Sequence, residues 1–282
     1  MSFTEWLKKK KNPQAPAAKK TLKQELKDRM VEFLDRDFFS LMIQPVVDFQ
    51  TNTVFKGEVL SRLEHPERGV IFPDVFLPVI AALNLYSRFD RYIFQKSCVW
   101  LQRTLAEGEN MECISCNFSR KTLSEPTIAQ DLIRIANKYG VSHDRLAVEI
   151  TEREKNDNDA QFIENLKILK AAGFRIILDD YGTGVTSVKD LQNYPLDIIK
   201  IDRSILLKAQ SEEEKIAFRT LVASFIDLGA DVVCEGIETY EQDEFVRNSG
   251  CRYGQGFLYF KPISQDEVFE MIRKSRLAEE NQ

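Results

Sequence analysis

Histidine is almost absent from this chain: only His65 and His143 occur in 282 residues. Two imidazoles exclude a zinc or iron centre built on histidine, so any metal chemistry has to rest on carboxylates. Their hard oxygens suit Mg²⁺, Mn²⁺ or Ca²⁺. Long apolar runs are missing as well. The longest, residues 75–83, is interrupted by Pro78 and is far shorter than the roughly 20 residues a membrane-spanning helix needs. No apolar stretch follows Lys8-Lys9-Lys10-Lys11, so no secretory leader is expected and the predicted location is cytoplasmic. The five cysteines are odd in number and are expected as reduced thiols. Cys113 and Cys116 have CxxC spacing, but no second pair completes a zinc site, and they lie within an apolar strand-like run. Buried thiols are the expectation there. No GxGxxG or GxxxxGK[ST] follows a strand-like segment, which removes the usual nucleotide-phosphate loops.

Charge is abundant but uneven. The first 20 residues carry six lysines and one acid, a net +5, against a net −5 for the whole chain, so the remainder stands at −10. An acidic body argues against binding a nucleic-acid polymer. Phe3, Trp6 and Leu7 share one helix face ahead of the lysine run, which suits a weak membrane-surface contact. The simpler reading of residues 1–20, with Pro13 and Pro16, is a basic flexible tail. Residues 21–39 show helical spacing (Leu22, Leu26, Met30, Phe33, Leu34) and read as a connector helix. A domain over 40–276 and a short tail over 277–282 complete the division.

Within the body, short apolar runs alternate with amphipathic stretches. Strands are predicted at 41–47, 54–60, 113–118, 146–150, 175–178, 197–201, 231–234 and 256–260. Helices are predicted at 89–105, 128–139, 159–172, 212–228, 241–248 and 265–276, with Gly140, Gly173 and Gly229 as stops. This alternation implies βα units and a mostly parallel sheet, and the fold class expected is α/β, a (β/α)₈ TIM-like barrel with an N-terminal helical extension.

Polar residues sit at or near the strand ends: Glu58, Asn117, Glu149, Asp179-Asp180, Lys200, Glu235 and Gln255. In such a barrel the C-terminal strand ends converge on one mouth. A single acid there is explained by helix capping. A ring of them repels itself unless a cation holds it together.

At these same positions the chain resembles the EAL-domain cyclic di-GMP phosphodiesterases, from about residue 39 to 262. Gln44-Pro45 matches the QP that opens the domain, and Glu58-Val59-Leu60-Ser61-Arg62 stands where the EAL signature and its Arg belong. Asn117-Phe118-Ser119, Glu149-Ile150-Thr151-Glu152 and Asp179-Asp180-Tyr181-Gly182-Thr183-Gly184 are similar to the NLS, ExTE and DDFGTG segments. Lys200-Ile201-Asp202, Glu235-Gly236-Ile237-Glu238 and Gln255-Gly256-Phe257 resemble KID, EGVE and QGY.

The resemblance implies hydrolysis of cyclic di-GMP to linear pGpG with one or two Mg²⁺ or Mn²⁺ ions, by a homodimer. Glu58, Asn117, Glu149 and Asp179 are implied as ligands of one ion. Asp179 and Asp180 are implied for a second, with Glu235 completing the set and Gln255 holding a water on the metal. Lys200 is implied to orient or deprotonate the attacking water. Arg62 would meet phosphate, and Gln44 and Glu238 the guanine. Leu60 and Asp180 join them on the substrate side, and Glu152 braces the loop 180–187. Departures include Val59 for Ala, Leu63 for Trp, Ile43 for an aromatic, Ala81 for a Glu, and Val185-Thr186 for Tyr-Ser. The last pair bears on the second metal and the dimer contact. None of the departures touches an implied ligand.

Two other readings remain open at this level. One is an EAL-like module that binds the dinucleotide or a protein partner without cleaving it. The other, from the barrel alone, is a carboxylate-pair glycosidase; two acids suffice for that chemistry, which leaves Asn117, Lys200 and Gln255 unexplained.

Overall fold

The computed structural model describes residues 21–108, 111–151, 159–183 and 188–280. The basic tail, Glu152 and Val185-Thr186 lie outside the described residues. Thr21 accepts a hydrogen bond from the backbone of Gln24 and starts helix α1 (Leu22–Asp35), which buries Leu26, Met30, Phe33 and Leu34. The helix stops short of the predicted residue 39. Asp37 takes a positive φ of 61°, and Phe39 already opens strand β1 (Phe39–Asp48).

Strand β2 (Thr53–His65) follows β1 after four residues, too few for a crossover, so it pairs antiparallel with β1 along the whole of β1. Asp48 turns the chain by accepting from the backbone of Gln50 at 2.7 Å, and Asn52 supplies the left-handed residue. The remaining barrel strands are β4 (Cys113–Phe118), β5 (Leu146–Thr151), β6 (Arg175–Tyr181), β7 (Ile198–Ile201), β8 (Asp231–Cys234) and β9 (Tyr253–Gly254). They run parallel to β2 and to one another. β1 closes the ring between β2 and β9, antiparallel to both. The result is the expected barrel of eight strands with one strand reversed. Two small strands, β3 (Gly69–Ile71) and β10 (Ile263–Ser264), lie outside it, on β2 and β1.

Helices cover the outside. α2 (Pro73–Ala82) and the long α3 (Tyr86–Ala106) precede β4, and α4 (Arg120–Leu123) and α5 (Ile128–Lys138) precede β5. Then come α6 (Asp159–Ala171), α7 (Val188–Asn193), α8 (Arg203–Lys208), α9 (Glu212–Asp227), α10 (Tyr240–Arg247) and α11 (Gln265–Glu280). The last of these extends past the predicted end at 276. α2 takes in the apolar run up to Ala82, with Pro78 inside the helix and Leu83 as its C-cap. Among the described residues no helix is long and apolar enough to cross a membrane.

Two cores result from strand alternation. A large outer one fills the space between strands and helices. A small plug inside the barrel is made of Val46, Cys113, Ala147, Ile177, Ile198, Val233 and Tyr253. Cys113 and Cys116 thus fall in different cores, on opposite faces of β4, which rules out a shared metal. All five cysteines are buried and free, and burial pushes the thiols of Cys113 and Cys116 up to about 12.

One strand prediction is overturned. Residues 256–260 form turns, and the closing strand is the earlier Tyr253–Gly254. Gly256 is pressed against the loop after β8: a Cβ there would lie 2.1 Å from the carbonyl oxygen of Ile237 and 2.3 Å from its nitrogen. That backbone cannot yield cheaply. Gly256→Ala is expected to cost about 2–3 kcal/mol, the upper range for overpacking, read as a lowered midpoint of urea unfolding.

Candidate metal and substrate site

At the mouth, Lys200 from β7 is the centre of an acid cluster. Its Nζ lies 2.9 Å from Glu58, 3.3 Å from Glu149, 2.9 Å from Asp179 and 2.7 Å from Glu235, which come from β2, β5, β6 and the residue after β8. Parallel strands bring these residues together because corresponding ends share one rim. Glu58 pairs in register with Ser115, Asn117 with Glu149, and Thr151 with Asp179. Asn117 donates to Glu58 at 3.2 Å, and Gln255, immediately after β9, donates to Glu58 at 2.8 Å. Gln255 reaches the mouth by following the closing strand β9, whereas the predicted strand at 256–260 would have begun just after it.

Asp180 takes φ 57°, a strained value for a residue with a side chain, beside a register shift between β6 and β7. Consecutive strand residues normally face opposite ways. The irregularity lets Asp179 and Asp180 line the same cleft.

The electrostatics are lopsided. Burial alone would neutralise Lys200, but Asp179, Glu149, Glu235 and Glu58 overcome it and raise its pKa well above the usual value. Lys200 is therefore an ammonium, as its carboxylate neighbours require. Burial also pushes Glu149 up, yet the lysines beside it, Lys200 and then Lys56, hold it down at about 2. Asp179 and Glu235 go the other way: burial raises both, neighbouring acids add to it, and Lys200 offsets only part. Lys200 and Lys56 together do not balance this many carboxylates.

A divalent cation would balance them, and the donor set fits one. Glu58, Glu149 and Asp179 bring ligand oxygens within 4.8 Å of one another, and so do Asp179, Asp180 and Glu235. Two buried oxygens, Asp179 Oδ1 and Gln255 Oε1, make no hydrogen bond; the former is close to Lys200 but outside hydrogen-bond geometry. Oxygen donors of this kind match a hard cation. Neither histidine is present here. His65 is buried against Phe33, and His143 stacks on Phe174.

A cleft of about 310 Å³ opens above the cluster, lined by Gln44, Glu58, Asp179, Asp180, Glu235, Glu238 and Gln255 among the predicted residues. Gln44 is there because β1 is reversed, which puts it opposite Glu58 in the ladder. Asn117, Glu149 and Lys200 do not line the cleft. Leu60 and Arg62 stand on the same face of β2 as Glu58, farther out, and the Arg62 guanidinium lies 5.0 Å from the ring centre of Phe72. Val59 points away into the outer core, opposite Ile43, so its departure from the EAL signature does not reach the mouth.

Three residues of the site went unpredicted. Arg203 lines the cleft and pairs with Glu238 at 2.6 Å. Phe257 presents a half-exposed ring. Lys56 lies buried under Glu149, bonded to it at 2.8 Å. Its signal was available: Lys56 and Glu58 are two apart on one strand and must share a face.

The family model for the EAL domain matches residues 25–262. The chain belongs to the EAL domain family. Among curated proteins this EAL domain is 27% identical over 254 residues to the cyclic di-GMP phosphodiesterase NbdA of Pseudomonas aeruginosa, covering 89% of this chain and 32% of that protein. It is also 27% identical over 230 residues to the probable cyclic di-GMP phosphodiesterase PdeG of Escherichia coli, covering 81% and 45%. The chain thus spans about a third of the length of the first curated relatives it matches. Among solved structures, the PaMucR phosphodiesterase in complex with c-di-GMP superposes with a TM-score of 0.79 at 28% identity, over 86% of this chain and 99% of that one. An EAL domain protein from Listeria monocytogenes EGD-e gives 0.75 at 26% identity, covering 86% and 96%.

Proposed function

We propose that this EAL domain hydrolyses one phosphodiester bond of cyclic di-GMP, releasing linear pGpG, with one or two Mg²⁺ or Mn²⁺ ions. The observation that carries the reading is the gathering of Glu58, Glu149 and Asp179, with ligand oxygens within 4.8 Å, under a cleft in a chain of this family. Glu58, Asn117, Glu149 and Asp179 would hold the first ion, and Asp179, Asp180 and Glu235 the second. Divalent cations supply charge neutralisation of the phosphodiester, acidification of the attacking water and stabilisation of the leaving oxygen.

The residues of this chain do the rest. Lys200, being an ammonium, has no lone pair to accept a proton; it orients the acids and adds positive charge beneath the scissile phosphate. Gln255 presents an unpaired buried oxygen to the attacking water. Arg62 and Leu60, along the β2 face, bear on the distal phosphate side of the dinucleotide. Gln44 and Glu238 take the guanine, with Arg203 holding the Glu238 carboxylate in place. Glu152 is proposed to brace the loop 180–187. Five buried, unpaired cysteines support a reducing compartment, the cytoplasm. A homodimer is proposed on the resemblance alone.

The test is hydrolysis of cyclic di-GMP by the full chain with Mn²⁺, followed chromatographically. Linear pGpG is the expected product, and excess EDTA is expected to stop its formation. Dinucleotide that binds but stays intact would make the chain a binding module instead.

A further inference from the structure

Every barrel strand except β2 contributes an apolar side chain to the plug below the mouth; β2 contributes Lys56. Its register partners are Val46 on β1 and Cys113 on β4, both members of that plug. The side chain is fully buried, and its Nζ has two partners, Glu149 Oε1 at 2.8 Å and Ser115 Oγ at 3.1 Å. Among the described residues Glu149 is the only acid within ion-pair distance of it.

The Glu149 carboxylate is therefore shared. Oε1 faces Lys56, and Oε2 faces Lys200, 3.3 Å away. Lys200 is divided among four acids, whereas Lys56 serves Glu149 alone. Deep in the plug, the Lys56 charge is screened far less by water and salt than a surface charge would be.

We infer that Lys56 is the internal counter-ion of Glu149 and holds down the affinity of the mouth for a divalent cation. The inference rests on the cation reading given above. A cation arriving at Glu58, Glu149 and Asp179 meets a carboxylate already partly neutralised from beneath. The same pairing lets the acid cluster fold without a cation, because a buried carboxylate left short of partners is costly. Lys56 thus trades cation affinity for stability of the metal-free fold, a positioning and charge-setting role without contact with substrate.

The experiment is calorimetric titration of the full chain with Mn²⁺ in wild type, Lys56→Met and Lys56→Gln. Methionine matches the apolar plug. Glutamine keeps a donor for Glu149 without the charge, and it decides the matter if the methionine variant does not fold. Both are expected to bind Mn²⁺ about tenfold tighter or more, as removal of a nearby, weakly screened like charge demands. Both should also melt lower without Mn²⁺ and gain more in melting temperature on its addition. A purely structural lysine would leave the affinity of the folded variants unchanged. Wild-type or weaker affinity in folded Lys56→Gln overturns the inference while the cation site stands. No Mn²⁺ binding by wild type removes the cation reading itself, and this inference with it.

Discussion

Glu58→Ala is expected to lower the rate of cyclic di-GMP hydrolysis by at least about 10²–10³-fold, the scale of losing a group that stabilises charge in the transition state. Glu58 belongs to the oxygen triad at the mouth and accepts hydrogen bonds from Asn117, Lys200 and Gln255. Its loss removes a ligand and unseats two amides together. The fold should survive, because one acid fewer relieves a cluster with too few cations. Circular dichroism melts and steady-state rates, measured side by side, separate the two effects. A variant that turns over at the wild-type rate would refute the ligand assignment.

Lys200→Met has the second large effect, and it is the opposite kind of change. Glu58, Glu149, Asp179 and Glu235 lose their common ammonium, and breaking buried ion pairs by removing one partner costs about 3–5 kcal/mol. The metal-free variant should therefore be severely destabilised, with Mn²⁺ expected to recover much of the loss, since a site assembled from four strands would bind the cation only in the folded state. The pH dependence has a definite sign. Asp179 and Glu235 already have raised folded-state pKa values, and losing Lys200 raises them further. Folded protein then binds more protons than unfolded protein over the interval between the ordinary carboxylate value and the raised one. Stability in that interval falls as pH rises, so the defect should be smallest in acid and largest at neutral pH. A defect that grows on acidification, or one that Mn²⁺ leaves untouched, contradicts this account of the cluster.

Much of this site was legible along the chain because barrel topology converts sequence into position. Residues toward the C-terminal ends of parallel strands must share a rim, and register carries Glu58 of β2 to the same level, so Glu58, Asn117, Glu149, Asp179, Lys200 and Glu235 belong together on sequence pattern alone. Other features were legible and passed over. The short connection between β1 and β2 forces an antiparallel pair, which reverses β1 and brings Gln44 opposite Glu58. Lys56 two residues before Glu58 had to point inward. The closing strand was misplaced because Gly256-Phe257-Leu258-Tyr259-Phe260 has strand composition. Its backbone instead folds onto Ile237, a contact set by packing between loops.

By itself, the sequence determined the barrel class, the carboxylate chemistry in a chain nearly without histidine, and the order of residues around the mouth. These follow from alternation, element lengths and residue type, all local properties. The tertiary structure decided the charge balance. That Lys200 stands among four acids and Lys56 under Glu149 alone depends on distances between strands far apart in the chain. Coulomb energy in a buried site varies steeply with those distances and with exclusion of water. A net charge read along the chain sums the lysines and acids but does not say which of them meet.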